Sequence, residues 1–402
     1  MKHQKMSTPK LEDIPDEIIL KVLGYLEIKD LLYIGHVSKS LRAISQDETL
    51  WKQISLSWNE CIVPAEFFDM VLQNGCKYLD LRYTQVVSNL SPETKSKLRY
   101  LAMGSELHEK SSSSFEDSGD SRDSRDSEDY RDFEERLLKS CHSLQKLQIN
   151  DIDHGMVEAI CHQNSKTLEA LDISFGYYLQ PELIQLITRY LVELKELAFE
   201  YYEVPDEDVV DILYEEGQGR PRRKSLSLCG RSIDYLVNNL TTKIEKLCLS
   251  NADINDEQVK ILVTRCKKLS VLDLSFTYRS NGYRKCITDN SLTHIIEHLK
   301  PTLQELNVEG CENLSYSKLV QLRLMPHLKK LNCRQMRDNG KNVQRLQSKM
   351  PHVEFKKSDG VNSCCKFRQW IADKKRIWEV SSNPLDLHFK NLHPFCLSYT
   401  QN

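Results

Sequence analysis

A six-residue pattern, L-x-x-L-x-L with other apolar residues allowed at the Leu places, recurs along this chain. Strong copies are "LQKLQI" from Leu144, "LEALDI" from Leu168, "LKELAF" from Leu194, "RKSLSL" from Arg223, "IEKLCL" from Ile244, "LSVLDL" from Leu269, "LQELNV" from Leu303 and "LKKLNC" from Leu328. Weaker copies are "CKYLDL" from Cys76, "LRYLAM" from Leu98 and "MPHVEF" from Met350. The eight strong copies start 24, 26, 29, 21, 25, 34 and 25 residues apart. The widest interval holds an insertion between Tyr278 and Cys286. Self-similarity at a nearly fixed period constrains the fold more than composition does. Each copy is one small unit that cannot bury its own apolar face, so copies must stack on one another.

The L-x-L part predicts a short strand with its apolar side chains on one face. The residues that follow predict a helix, as in "DEQVKILVTRCKKL" after Asn255, where Val259, Leu262 and Val263 stand at helical spacing. Asp256 in "INDEQV" and Asp289 in "ITDNSL" are expected to cap such helices. Stacking these units gives a parallel inner sheet and outer helices.

Cys141 and Cys266 stand three residues before the next strand's first Leu, and Cys311 follows its strand in "LNVEGCENL". With "ITD" at Ile287 to Asp289, the repeats resemble the cysteine-containing leucine-rich repeat. The resemblance implies an α/β right-handed solenoid, a horseshoe of about 10–11 units over residues 56–357. One stretch interrupts it. "SSSSFEDSGDSRDSRDSEDYRD", Ser111 to Asp132, is rich in Ser and acids and poor in apolar residues. It is expected to be a disordered acidic insertion, assigned to 108–132, because it cannot bury enough surface to offset its ordering entropy. Ser113 and Ser114 each have an acid three residues on and are candidate phosphorylation sites, and phosphorylation would make the segment more negative still. A tolerated solvated insertion is the alternative reading.

The N-terminal stretch from Ile14 to Trp51 lies outside the repeats. "DEIILKVLGYL" from Asp16 places Ile18, Ile19, Val22, Leu23 and Leu26 on one helical stripe, with Pro15 at the entrance and acids just after it. A second helix is expected after Asp30 and a third from about Val37 to Ile44. About 40 residues are too few for a robust core unless another surface covers part of them. Ile14-Pro15, Glu17-Ile18-Ile19, Val22-Leu23, Tyr25-Leu26, Asp30-Leu31, Val37-Ser38-Lys39, Arg42, Asp47 and Leu50-Trp51 make this stretch resemble the F-box. It departs from that pattern in having Ile14 for the first Leu and Leu41 where Trp is common. The resemblance implies a three-helix module over 11–55 that docks the adaptor subunit of SCF-type cullin-RING ubiquitin ligases and, through it, the cullin and the RING protein. On that reading the adaptor face is Ile14, Pro15, Ile18, Leu23 and Leu26, supported by Val37, Ser38 and Leu41, while Trp51 packs on the first repeat.

The inner sheet face is the usual recognition surface of a solenoid. At the seventh and eighth positions of the copies stand Glu200, Glu309 and Arg334, and Phe175, Tyr201 and Phe276, with Tyr177, Tyr202 and Tyr278 close by. These nine residues are the candidate contacts for a protein substrate, since exposed aromatics often anchor interfaces. Packing of the aromatics on the next repeat is the alternative. The segment 358–402, with Phe367, Trp370, Ile371 and Trp378 among bases, either caps the open end of the array or folds back across the inner face.

Composition excludes more than it assigns. With 55 basic and 58 acidic residues, nothing draws the chain toward nucleic acid or anionic membranes. No run of about 18 apolar residues occurs and the first residues have no apolar core, so neither a spanning helix nor a secretory leader is expected. The odd count of 13 Cys, scattered through a long chain, reads as reduced thiols in an intracellular protein of cytoplasm or nucleus. "RPRRK" from Arg220 is either a nuclear signal or a solvated turn. Cys364, Cys365, His388, His393 and Cys396 lack paired metal-ligand spacing, and no catalytic motif is recognisable, so no cofactor or metal is expected. The F-box and repeat resemblances together imply a non-catalytic substrate receptor of such a ligase, with a non-degradative scaffold or small-ligand receptor as the alternative.

Overall fold

The computed structural model describes residues 14–26, 28–55, 62–63, 65–82, 85–86, 95–104, 133–150, 152–175, 181–201, 230–277, 287–334 and 341–355. Ser113, Ser114, Tyr177, Tyr202, Tyr278, the 108–132 insertion, the 220–224 basic run and the 358–402 segment lie outside these residues.

Four helices open the chain: α1 (Asp16–Leu23), α2 (Ile28–Ile34), α3 (Lys39–Ser45) and a single turn, α4 (Glu48–Trp51). Among the described residues eleven parallel strands then form one open sheet. They are β1 (Gln53–Ser55), β2 (Tyr78–Asp80), β3 (Tyr100–Ala102), β4 (Lys146–Asn150), β5 (Ala170–Phe175), β6 (Glu196–Tyr201), β7 (Lys246–Ser250), β8 (Val271–Asp273), β9 (Glu305–Asn307), β10 (Lys330–Asn332) and β11 (Glu354–Phe355), paired in chain order. Helices such as His154–Asn164, Pro181–Tyr190, Asp256–Arg265 and Asp289–Leu299 connect them. Their apolar faces share one core with the buried strand residues, so the described helices cover one side of the sheet. This is the expected α/β solenoid architecture.

One strand falls outside the expected repeats. β1 lies inside the stretch assigned to the N-terminal module, because Gln53-Ile54-Ser55 carries one apolar residue and no leucine pattern, yet pairs in register with Tyr78-Leu79-Asp80. β6 pairs directly with β7, Leu197 opposite Leu247, and the copy at Arg223 lies outside the described residues. Arg223 stands at the first apolar position of that copy, where the sheet's other units bury a side chain.

The helix boundaries also sharpen. α2 begins two residues before Asp30, which sits in its first turn. Ser38 caps α3, its hydroxyl accepting from the Leu41 amide at 3.1 Å. Asn255 caps the helix Asp256–Arg265 in a capping box with Gln258, and Thr288 caps Asp289–Leu299. Asp256 and Asp289 therefore occupy the first helical turn and do a different job. The Asp256 carboxylate accepts hydrogen bonds from the Thr288 and Ser291 amides and hydroxyls of the following unit, and Asp289 accepts from the Ser315 amide and hydroxyl. Each aspartate thus ties its own helix to the start of the next.

Burial pushes the Asp256 carboxyl up, but the hydrogen bonds from Ser291 and Thr288 outweigh it and hold the group below its ordinary 3.8. Its contribution is therefore full above that value and is lost as pH falls through the lowered one. Asp256→Ala is expected to cost about 1–2 kcal/mol at neutral pH, discounted for solvent screening, in urea denaturation. The difference from the parent should shrink in acid.

Polar groups inside the array link units in the same way. Asn164 is fully buried, accepts from the Leu144 amide at 2.9 Å and donates to the Cys141 carbonyl at 2.9 Å. The Cys76 and Cys266 thiols lie 4.0 and 3.8 Å from the Lys52 and Thr241 carbonyls of the preceding units. These cysteines serve as small apolar residues with a weak donor.

Candidate functional site

The helical stripe of α1 divides in two. Ile19 and Leu23 turn inward onto Leu31, Leu41 and Ile44 and make a small core of their own, with Leu26 packed against it. One residue earlier on the helix, Ile18 and Val22 turn outward, at 47 and 57% exposure. Tyr25 at 90%, Val37 at 71% and Ile14 at 39% join them, and Pro15 is also exposed. Helical spacing sets Ile14, Ile18, Val22 and Tyr25 on one side of α1, so among the described residues the module leaves an apolar line uncovered, with Val37 a further exposed apolar residue. Isolated exposed apolar residues are normal, whereas grouped ones mark interfaces.

Burial divides the residues expected at the adaptor face. Leu23 and Leu41, at 2 and 3% exposure, are core residues, and Ser38 is committed to its cap. A stripe two residues wide cannot serve one interface, and its inner line is consumed in folding. Val22 and Tyr25, unassigned in the sequence, belong to the exposed line. The module joins the array where Trp51 and Leu32 enter the large repeat core. There the Trp51 indole N–H donates to the Ser45 carbonyl at 2.6 Å, and Lys77 pairs with Glu48 at 2.6 Å.

The second surface is the sheet face that the described helices leave open. Strand alternation puts the third, fifth and seventh positions of every copy on it. The third-position row runs through Tyr78, Tyr100, Lys146, Ala170, Glu196, Lys246, Val271, Glu305 and Lys330, side by side in register. Tyr78 and Tyr100 stack with ring centres 4.6 Å apart, and the Lys146 ammonium lies 5.8 Å from the Tyr100 centre. Glu196 faces Lys246 at 3.4 Å and Glu305 faces Lys330 at 3.0 Å. Burial pushes the Glu196 carboxyl up despite Lys146 and Lys246, and its Oε2 has no hydrogen-bond partner among the described residues. Beside it the fifth-position Ala198 and Cys248 form a small apolar floor. Simple alternation in the sequence points to this row as well as to the seventh and eighth positions.

At those later positions the chain is already turning. Asn251, Phe276 and Gly310 have φ of 59, 54 and 72°, and their amides donate to the Ser275, Glu309 and Arg334 carbonyls of the next unit. A Cβ on Gly310 would stand 2.7 Å from the Phe276 ring, so Phe276 packs on the neighbouring unit and Gly310 is needed there. Phe276 is accordingly a packing residue. Glu309 is buried and accepts from Asn332 Nδ2 at 2.7 Å, with Arg334 at 3.9 Å, so it belongs to an internal network. Phe175, Glu200 and Tyr201 lie in β5 and β6, with Glu200 beside Ser174 and Tyr201 beside Phe175.

The seven described cysteines are buried thiols. Burial pushes the thiols of Cys76 and Cys161 up to about 12 and those of Cys141 and Cys266 up to about 11, which disfavours the nucleophilic thiolate. Among the described residues no helix is long and apolar enough to cross a membrane.

Comparison with known proteins places an F-box-like domain at the N-terminus, residues 11–57. No curated protein matches the chain. Among solved structures it is similar to a leucine-rich-repeat protein of Leptospira interrogans, LIC12759, with TM-score 0.37 and 14% identity over 77% of this chain. The chain spans 62% of that protein's length. It is also similar to the yeast Rad7 and Elc1 complex, with TM-score 0.29 and 12% identity over 87% of this chain and 90% of that one.

Proposed function

We propose that the protein is a non-catalytic substrate receptor of an SCF-type cullin-RING ubiquitin ligase. The observation that carries this is the uncovered apolar face of Ile14, Pro15, Ile18, Val22, Tyr25 and Val37 on a module matching the F-box-like family. That face docks the adaptor, and through it the cullin and the RING protein. The open sheet face, with its row from Tyr78 to Lys330, holds the protein target. The raised thiols of Cys76, Cys141, Cys161 and Cys266 support reading those four cysteines as structural. Ubiquitin then reaches the target by proximity, because a held lysine and a held thioester meet at high effective concentration. The unit-linking thiols at Cys76 and Cys266 support reading the repeats as the cysteine-containing kind.

The test uses the full chain reconstituted with adaptor, cullin and RING subunits and with proteins captured by the repeats. A captured protein should gain ubiquitin with the parent and lose it when Ile18→Glu is introduced. Captured partners that never gain ubiquitin, and whose abundance ignores proteasome inhibition, would instead mark a non-degradative scaffold.

A further inference from the structure

A cluster on the outer helix Asp289–Leu299 belongs to neither surface. This helix buries Ser291, Leu292, Ile295 and Leu299 against the core. His294 and His298 flank that buried stripe and Glu297 lies on the exposed side, at i, i+4 and i+3. One donor atom from each lies within 4.8 Å of the others. The His294 Nδ1 is buried and has no hydrogen-bond partner among the described residues. Buried polar atoms are normally satisfied, so an orphaned imidazole nitrogen points to a missing group. Glu297 Oε2 lies 3.6 Å from that nitrogen, too far for a hydrogen bond. It is close to the roughly 3.4 Å that separates two ligands of a tetrahedral zinc ion with bonds of about 2.1 Å.

The geometry points to a zinc site formed by His294, Glu297 and His298, with a fourth position open to water. Two imidazoles and one carboxylate suit zinc or a similar borderline divalent ion and disfavour calcium and magnesium, which prefer all-oxygen sets. Sequence spacing alone hides the cluster, because "HIIEH" becomes a convergent trio only once the segment is helical. The site faces away from the sheet and does not depend on the function proposed above.

Cobalt(II), a coloured stand-in for zinc, tests the site when titrated into the full reduced chain. The parent should bind one equivalent more than His294→Gln or His298→Gln, with zinc displacing it. The difference spectrum should show visible d–d bands and no thiolate-to-cobalt charge transfer. Glu297→Gln should weaken that equivalent by at least about tenfold, the scale of a disturbed metal site. His298 is partly exposed, so its Gln variant should keep the parent's far-ultraviolet circular dichroism, which separates loss of the site from unfolding. Equal stoichiometry in the parent and both His variants would overturn the assignment, as would a difference spectrum carrying thiolate charge transfer. An unchanged affinity in Glu297→Gln would remove the carboxylate from the ligand set and overturn the three-donor site.

Discussion

Ile18→Glu combined with Val37→Glu is expected to weaken adaptor binding by at least about a hundredfold while leaving the thermal midpoint where it is. Both side chains are already in water in the isolated chain, so folding does not depend on them. Covering each apolar side chain at an interface contributes about 1.5–3 kcal/mol, and the two together account for two or more decades of affinity. Glu at the same places adds the cost of burying an unpaired carboxylate. Leu23→Ala provides the contrast, since Leu23 sits among Ile19, Leu31, Leu41 and Ile44. Removing it leaves a cavity and should cost about 2–5 kcal/mol of stability, taking adaptor binding down with the fold. Calorimetric titration beside a thermal melt distinguishes the two effects.

Trp51→Ala should be the most damaging single change at the joint. Trp51 is 2% exposed and lies in the same core as Ile54, Phe67, Phe68 and Leu72 of the first units. Its loss is expected to cost about 3–5 kcal/mol in buried surface and cavity, and to leave the Ser45 carbonyl without the indole donor. The damage should be local first, because each unit of a solenoid is held mainly by its neighbours. Amide exchange should speed up through α3, α4 and β1 while β7 to β10 keep the parent's protection. Uniform acceleration across the whole sheet would argue that the array and the module form one cooperative unit.

How far these surfaces could be read from the sequence follows from what each feature depends on. The repeat copies were legible because a strand's period of two and a helix's stripe are local rules. Leu144, Leu147 and Ile149 declare their burial without reference to anything distant. β1 was not legible, since Gln53-Ile54-Ser55 becomes a strand only because Tyr78-Leu79-Asp80 lies beside it. In the N-terminal module the stripe was visible, but its division was not. Whether Ile18 or Ile19 faces inward depends on where α3 crosses α1, and that is a tertiary fact. The same limit explains Phe276. Its aromatic character suggested a contact for a partner, and the neighbouring Gly310 is what takes it. The third-position row is legible from alternation alone, because a period of two is a local rule.

The central claim is that this chain carries two separate surfaces, an apolar face for the adaptor and an open sheet face for a target. Covalent surface footprinting of the full chain with and without adaptor tests it most directly. The account predicts that labelling of Ile14, Ile18, Val22, Tyr25 and Val37 falls on adding adaptor while labelling of Tyr78 and Tyr100 stays as it was. Protection of Tyr78 and Tyr100 with α1 still fully labelled would contradict it.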